Sequence, residues 1–279
     1  MKFPRLPLLA CICWAALLAL PAGADTPKSY VFSAVPQFTA PQVFKEWKPL
    51  LNRLAAETGI AFTLKTHDTI PQFEAAFLKG EIDFAFMNPY HAVMAKRAQG
   101  YVPLVRDAKP LKGQLLVRKD GAQKLADLDG KALGFPAPNA FGAALHMRAL
   151  LVEEHGLKIE PRWLKTHSNV YRHVISGDVA AGGSVRAAFD SEPAAVRDQL
   201  RVLFETPAAA SHPLAAHPRV NEALRERIVA ALLRLRETPE GQALLKSVRM
   251  PEVERADYAR DYRPLEKLKL EKYVVAEHE

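Results

Sequence analysis

The chain has 279 residues, of which 49% are hydrophobic and 25% are charged. This composition excludes a disordered or fibrous chain and allows one large domain or two medium ones. The formal net charge is +7, but basic and acidic residues are interleaved along the chain, which argues against a nucleic-acid-binding surface.

The first segment has the pattern of an export signal. Lys2 and Arg5 precede an apolar run from Leu8 to Leu20, and a group of small residues ends at Ala24. We expect cleavage near Ala24 and an exported protein, because the run is shorter than the ~20 residues that span a membrane. An uncleaved membrane anchor is the alternative. Both cysteines lie in this segment, so the mature protein would have no disulfide, thiolate metal site or cysteine nucleophile.

Strands and helices are predicted to alternate through the first part of the mature chain. Apolar residues between Pro41 and Thr58 fall on one helix face, and Gly59 follows as a stop signal. The predicted elements are strand Tyr30–Val35, helix Pro41–Thr58, strand Ile60–Lys65, helix Ile70–Lys79, strand Ile82–Met87 and helix Tyr90–Gln99. This alternation indicates a mostly parallel sheet.

Two adjacent β-prone runs, Tyr101–Arg106 and Gln114–Arg118, follow with no helix between them. We interpret them as a crossing into a second lobe. Alternation then resumes with strand Ala132–Phe135, helix Phe141–His155, strand Ile159–Leu164, helix Ser168–Ser176 and strand Val179–Ser184. Arg201–Glu205 is predicted to be a strand and a return crossing, and the chain from Asn221 is predicted to be helical.

The sequence therefore predicts an α/β fold of two lobes, each a mixed, mostly parallel sheet flanked by helices, joined by two crossing strands. We expect residues 1–24 to be the signal peptide, residues 25–113 with 206–279 to form lobe 1, and residues 114–205 to form lobe 2. A ligand cleft is expected between the lobes, where strand ends and helix starts converge.

Four segments resemble, in order and spacing, the phosphate/phosphite/phosphonate substrate-binding proteins of ABC transporters. They are Asp83–Tyr90, Leu125–Lys131, Phe135–Gly142 and Gly177–Gly182. The resemblance covers almost all of the mature chain. It implies a type II periplasmic binding protein fold that closes on its ligand by a hinge motion and delivers that ligand to a membrane permease. It implies neither catalysis nor a cofactor.

A segment that joins a strand to a helix is the first candidate for the ligand site. The free backbone amides of such a helix start bind anions without a charged side chain. The family usually has Ser-Thr-Ser before a glycine here, whereas this chain has Asn139, Ala140 and Phe141 before Gly142. The missing hydroxyls favour a partly apolar ligand or an anion held by backbone amides, with weak or absent phosphate binding. The alternative role for Asn139 is that of a helix cap.

The other candidates lie in turns that follow predicted strands. His167 falls where the family has a histidine that contacts the ligand, and Tyr90 combines an apolar ring with a hydroxyl group that suits a cleft. For each candidate, a turn, cap or packing role is the alternative. These candidates are Gln37, Phe38, Asn88, Tyr90, His167, Ser168 and His212.

Other classes of protein fit the sequence less well. An exported hydrolase is disfavoured because no G-x-S-x-G motif occurs, and a metal site because no H-x-x-x-H or H-E-x-x-H pair occurs. We expect no catalytic residue, no metal and no nucleic acid. The expected partners are a small-molecule ligand and an ABC permease, with the protein a monomer. A sensor that signals to a membrane kinase is the alternative that the sequence leaves open.

Overall fold

The computed structural model describes Met1 and residues 29–276. The expected signal peptide and its cleavage site near Ala24 lie outside the described residues. In the described part of the chain the strands are β1 Ser29–Ala34, β2 Ala61–Leu64, β3 Phe84–Phe86, β4 Val102–Asp107, β5 Gly113–Arg118, β6 Lys131–Phe135, β7 Ile159–Trp163, β8 Ala181–Val185, β9 Leu200–Glu205, β10 Pro213–Ala216 and β11 Val253–Arg255.

Helices connect most of these strands. They are α1 Ala40–Thr58, α2 Ile70–Leu78, α3 Pro89–Gln99, α4 at residues 141–154, α5 His167–Ser176, α6 Arg186–Asp190, α7 Ala194–Arg197, α8 Glu222–Arg234 and α9 Pro239–Ser247. Helix α4 has three consecutive stretches, of which Phe141–Leu145 and Leu150–Glu154 are π-helical and His146–Ala149 is α-helical. Within the described residues, no helix has the length and apolar character required to cross a bilayer.

Local sequence signals explain where the long helices begin and end. Pro41 lies in the first turn of α1, where its missing amide hydrogen costs nothing. Gly59 ends the helix in a left-handed conformation with φ 71°, which favours glycine. Between them, one face of α1 is buried through Val43, Trp47, Leu50, Leu51 and Leu54. The same face was predicted from the spacing of the apolar residues.

The sheet of lobe 1 has the order β2-β1-β3-β10-β4-β11. Strand β1 is parallel to both β2 and β3, with Phe32 opposite Phe84. Strand β10 runs antiparallel between β3 and β4, with Leu214 opposite Phe86. The carboxyl ends of β1, β2 and β3 therefore lie at one edge of the sheet.

The sheet of lobe 2 has the order β7-β6-β8-β5-β9. Strand β6 is parallel to β7 and β8, whereas β5 is antiparallel to β8 and β9. Each lobe thus has a mixed sheet flanked by helices, which confirms the predicted two-lobed α/β fold, although antiparallel pairings are at least as numerous as parallel ones in each sheet.

The crossings between the lobes are shorter than predicted. The two β-prone runs that we interpreted as a crossing are β4 in lobe 1 and β5 in lobe 2, and the chain crosses between them at residues 108–112. It returns at residues 206–212, after β9. The two crossings meet where Leu111 and Ala209 exchange backbone hydrogen bonds of 2.8 and 3.0 Å. The two crossings, which together form the hinge, are therefore paired as a short two-stranded ribbon.

The lobes also meet through apolar side chains. Phe141, Leu145 and Ala149 project from α4 of lobe 2 and belong to the hydrophobic cluster that forms the core of lobe 1. Lobe 2 has its own smaller cluster around Leu133 and Phe135. One face of α4 therefore packs against lobe 1.

Candidate functional site

A cavity of about 40 Å³ lies between the lobes at the carboxyl ends of parallel strands from both sheets. This is the position where α/β folds usually bind ligands. The volume accommodates only a few water-sized groups. Its lining is Val35, Pro36, Gln37, Ile70, Asn88, Leu111, Pro136, Ala137, Ala140, Phe141, Gly142, Ala143, Lys165, His167, Val185 and His212.

The first turn of α4 forms the lobe 2 wall of the cavity. The amides of Ala144 and Leu145 both donate to the carbonyl oxygen of Ala140, at 2.8 and 3.0 Å. The amides of Phe141, Gly142 and Ala143 have no hydrogen-bond partner among the described residues. Unpaired amides at a helix start carry partial positive charge and accept an anion.

Two glycines allow this helix start to lie directly on the sheet of lobe 2. A Cβ atom at Gly113 of β5 would lie 2.1 Å from the carbonyl oxygen of Gly142. A Cβ atom at Gly183 of β8 would lie 2.0 Å from the carbonyl oxygen of Ala143. Any larger residue at either position would push the amides of α4 away from the cleft.

His167 lies in the first turn of α5, whose start is capped by the Thr166 hydroxyl accepting from the amide of Asn169 at 3.1 Å. Its Nδ1 atom is 3.0 Å from the Ser184 hydroxyl, which in turn is 2.5 Å from the hydroxyl of Tyr171. Burial lowers the pKa of His167 to about 4, so the ring is neutral at pH 7.

In lobe 1, His212 and Gln37 form a pair that corresponds to His167 and Ser184 in lobe 2. Their Nε2 atoms are 3.1 Å apart, and because an amide nitrogen only donates, the His212 ring accepts and carries its proton on Nδ1. The ring stacks on Phe86 with centroids 5.7 Å apart. Burial, followed by the proximity of His91 and Arg249, lowers the pKa of His212 to about 3. This imidazole is also neutral at pH 7.

Asn88 caps α3 and reaches the other lobe. Its side-chain oxygen accepts from the amide of His91 at 2.8 Å, and its Nδ2 atom donates to the backbone oxygen of Asn139 at 3.1 Å. Asn88 therefore lines the cavity while its side chain is fixed by protein partners.

Asn139 occupies a different place from the one expected. Its Nδ2 atom donates to Glu74 Oε2 at 2.7 Å and to the carbonyl oxygen of Val275 at 2.9 Å, and its Oδ1 atom accepts from the amide of Val275 at 2.9 Å. The expected cap role is wrong, because Ala140 precedes α4 and no side chain caps it. Asn139 is fully buried and links lobe 2 to lobe 1 and to the end of the chain.

Three other predicted residues also lie outside the cavity. Phe38 lies under the guanidinium group of Arg249, 4.0 Å from the ring centroid to Cζ. Tyr90 is fully buried and its hydroxyl accepts from the amide of Leu270 at 3.0 Å. Ser168 donates to a carboxylate oxygen of Glu192 at 2.6 Å. Of the predicted residues, the structure brings Gln37, Asn88, Ala140, Phe141, Gly142, His167 and His212 together.

The sequence analysis missed Lys165. It lies between β7 and α5 with φ 71°, a left-handed conformation that is uncommon for a residue with a side chain. A lysine in a loop next to a strand is usually solvated, so no sequence signal pointed to it. Three apolar residues of the lining were also missed. Ile70 begins α2, Leu111 lies in the first crossing and Val185 ends β8, and an apolar residue at such a position gives no signal of a ligand site.

The segment 270–276, which we call the C-terminal strap, was also missed. Its contacts with lobe 1 include a hydrogen bond from the amide of Leu270 to the hydroxyl of Tyr90 and an ion pair between Glu271 and Arg97. Its lobe 2 contacts are the two backbone bonds to Asn139, an ion pair of 2.8 Å from Lys272 to Glu153, and a bond of 2.7 Å from Arg148 to the carbonyl oxygen of Tyr273. The strap is therefore a third connection between the lobes.

Within the described residues, no group of three or more histidine, cysteine or acidic side chains is arranged to hold a metal ion. The site consists of backbone amides, neutral imidazoles, two carboxamides and one cation, which together suit a small anion.

A family model described as "ABC transporter, phosphonate, periplasmic substrate-binding protein" matches residues 32–262. The chain belongs to this family. The family consists of periplasmic solute-binding proteins that work with an ABC permease, and nothing in the comparisons supports the alternative of signalling to a membrane kinase. No curated protein matches the sequence.

Solved structures share the fold at low sequence identity. PhnD1 from Prochlorococcus marinus, in complex with methylphosphonate, is 14% identical with a TM-score of 0.75, over 87% of this chain and 97% of that one. A binding protein component of an ABC phosphonate transporter from Pseudomonas aeruginosa is 14% identical with a TM-score of 0.74, over 88% and 86%. A Xanthomonas citri protein bound to ATP is 15% identical with a TM-score of 0.77, over 88% and 99%. These likenesses confirm the two-lobed type II fold.

Proposed function

We propose that this protein captures a small phosphonate-like anion in the cleft between its lobes and delivers it to an ABC permease. The observation that carries this proposal is the convergence of the unpaired Phe141, Gly142 and Ala143 amides with Lys165 on one cavity between the lobes. Three amides directed at one anion, aided by the helix dipole, need no charged side chain of their own.

The lining also supports a choice among anions. Much of the cavity wall is apolar, through residues such as Ile70, Leu111, Phe141 and Val185. Phosphate has four oxygens that all require hydrogen bonds, and an oxygen directed at this apolar wall would lose its hydration without compensation. A phosphonate has a carbon in place of one oxygen. We therefore expect methylphosphonate to bind more tightly than phosphate.

A thermal-shift titration of the purified protein tests this function. A ligand at about 100 times its Kd stabilises the folded state by about 2.7 kcal/mol, which raises Tm by several degrees. Methylphosphonate is expected to do so, and phosphate and acetate at the same concentration are expected to have smaller effects. Phosphate that stabilises the protein more than methylphosphonate would overturn the proposed ligand preference.

A pair of neighbouring residues provides a matched control. His167 lines the cavity, whereas Ser168 lies beside it in sequence and bonds to Glu192 instead. His167→Ala is expected to weaken methylphosphonate binding at least about tenfold, since it removes a hydrogen-bonding group from the site. Ser168→Ala is expected to leave the affinity within about twofold. Equal effects of the two variants would contradict the proposed site.

A further inference from the structure

The charge of the cleft lining is unusually one-sided. Among the described residues that line the cavity, Lys165 is the only one with a formal charge at pH 7, and none is acidic. The two histidines of the lining, His167 and His212, are neutral for the reasons given above. A ligand in this cavity therefore meets positive but no negative charge.

Two carboxylates that bond to residues in or beside the lining, Glu74 and Glu192, are already engaged by protein partners. Glu74 is 4% exposed, with one oxygen 2.8 Å from His91 Nε2 and the other accepting from Asn139 at 2.7 Å. Glu192 accepts from Ser168. An ammonium group in the cavity would find no free carboxylate with which to pair.

The conformation of Lys165 indicates that its position is useful. Its left-handed backbone, φ 71°, is one that glycine or asparagine adopts more easily. Lys165 forms no ion pair with any described residue, although 19 such pairs are found elsewhere in the described chain. Residues that keep a strained backbone often do so at ligand sites. Lys165 is exposed to solvent and lines the cavity, so no protein partner prevents its ammonium group from turning toward a ligand.

We propose that Lys165 and the lack of any carboxylate in the cavity lining make this protein selective for compact phosphonates without a cationic group, so that it rejects aminoalkylphosphonates. The inference rests on the proposed function. The ammonium group of an aminoalkylphosphonate would lose its hydration against the apolar wall of the cavity and would lie near the positive charge of Lys165. The cavity of about 40 Å³ disfavours a long substituent as well, so charge and size must be separated by experiment.

Three phosphonates separate the two effects in calorimetric titrations of the purified protein. Propylphosphonate and 2-aminoethylphosphonate have chains of the same length and differ only in a terminal methyl or ammonium group. Methylphosphonate is expected to bind most tightly. The size of the cavity should weaken the binding of both longer ligands. The ammonium group should raise the Kd of 2-aminoethylphosphonate at least about tenfold above that of propylphosphonate, because its charge is unpaired in the cavity.

Substitutions at position 165 then test the residue itself. Lys165→Met keeps most of the length and is expected to weaken methylphosphonate at least about tenfold, and to narrow the difference between the propyl and aminoethyl ligands. Lys165→Arg is expected to restore most of the affinity. Lys165→Gly relieves the left-handed backbone, so it is expected to raise Tm while it lowers affinity. If Lys165 had only a structural role, Lys165→Gly would not raise Tm while it lowers the affinity for methylphosphonate.

The outcomes distinguish this inference from the proposed function. If 2-aminoethylphosphonate binds as tightly as propylphosphonate or more tightly, the selectivity inference is wrong while the proposed function stands. If Lys165→Met binds methylphosphonate as well as the wild type, the role of Lys165 is wrong. If no phosphonate produces heat or a shift in Tm, the proposed function fails and the inference fails with it.

Discussion

Neutral histidines are the most distinctive residues of the cleft. His167 and His212 are held neutral by burial, with pKa values of about 4 and about 3, and each uses one ring nitrogen in a bond to Ser184 or Gln37. They can orient a ligand through hydrogen bonds but supply no charge at pH 7. In the proposed site, the charge of the ligand is met by backbone amides and Lys165.

The lowered pKa values predict a pH dependence of stability. An unfolded histidine titrates near pH 6.5, so between about pH 4 and 6.5 the unfolded state binds protons that the folded state does not. Stability is therefore fully present above about pH 6.5 and falls as the pH drops toward 4. The slope is at most about 1.4 kcal/mol per pH unit for each histidine.

Calorimetric Tm values between pH 7 and pH 4 check this dependence. His212→Asn is expected to have a shallower decline than the wild type, and the exposed His155→Asn serves as the control variant. An identical decline in the wild type and in His212→Asn would show that His212 does not carry this linkage.

Asn139 is predicted to act on stability and closure. Asn139→Ala removes three hydrogen bonds and leaves Glu74 and the backbone of Val275 without these buried partners, which should cost about 3 kcal/mol. Asn169→Ala is a suitable comparison, since the side chain of Asn169 donates one hydrogen bond of 3.0 Å to the carbonyl oxygen of Leu164 within lobe 2. The loss of this bond should cost about 1 kcal/mol. Urea unfolding measures both. A cost for Asn139→Ala no greater than that for Asn169→Ala would contradict the linking role.

Among the elements, the C-terminal strap helps to hold the lobes together beyond the hinge. Tyr273 covers Arg148, with Cζ 5.6 Å from the ring centroid, while Trp163 packs near the same guanidinium group at 5.1 Å. Arg148 is nearly buried and donates to the carbonyl oxygens of Tyr273 and Pro138. Separation of the lobes would require the strap to leave at least one of them.

Deletion of residues 273–279 is expected to loosen the closed arrangement. The loss of the Asn139 and Arg148 partners should cost about 2–4 kcal/mol and lower Tm by roughly 5–15 °C. Small-angle scattering of the ligand-free protein should show a larger radius of gyration. Deletion of residues 277–279 alone removes no described contact and is the control. An unchanged radius after the longer deletion would contradict a connecting role for the strap.

Sequence patterns predicted the elements whose signals are local. The apolar face of α1 and the glycine stop after it followed from spacing and residue type alone. Strand β10 was missed because it begins with a proline, and β11 because it lies in the segment after Asn221 that was predicted to be helical. Their places in the sheet depend on long-range pairing with β4.

The candidate site was predictable only in part for the same reason. Residues after strand ends, such as Gln37 and His167, were found because parallel strands bring these turns to one edge. Lys165 and the strap could not be found, since one depends on a left-handed turn and the other on contacts more than 100 positions apart in the chain. Asn139 was assigned to the correct turn, but its buried partners come from Glu74 and Val275.

In the whole molecule, three kinds of contact besides the C-terminal strap hold the two lobes together. The hinge ribbon joins them through Leu111 and Ala209, α4 inserts Phe141 into the core of lobe 1, and Asn139 bonds to Glu74 across the boundary. In hinge-bending binding proteins, a ligand between the lobes exchanges with solvent when the lobes separate. The free energy of these contacts therefore contributes to the ligand affinity of the closed form.

A crystal structure of the protein with saturating methylphosphonate tests the central proposal most directly. The account predicts the phosphonate oxygens within hydrogen-bonding distance of the Phe141, Gly142 and Ala143 amides, with the Lys165 ammonium group nearby and the methyl group against the apolar wall. An interlobe cleft without ligand at saturation, or a phosphonate bound away from the start of α4, would contradict it.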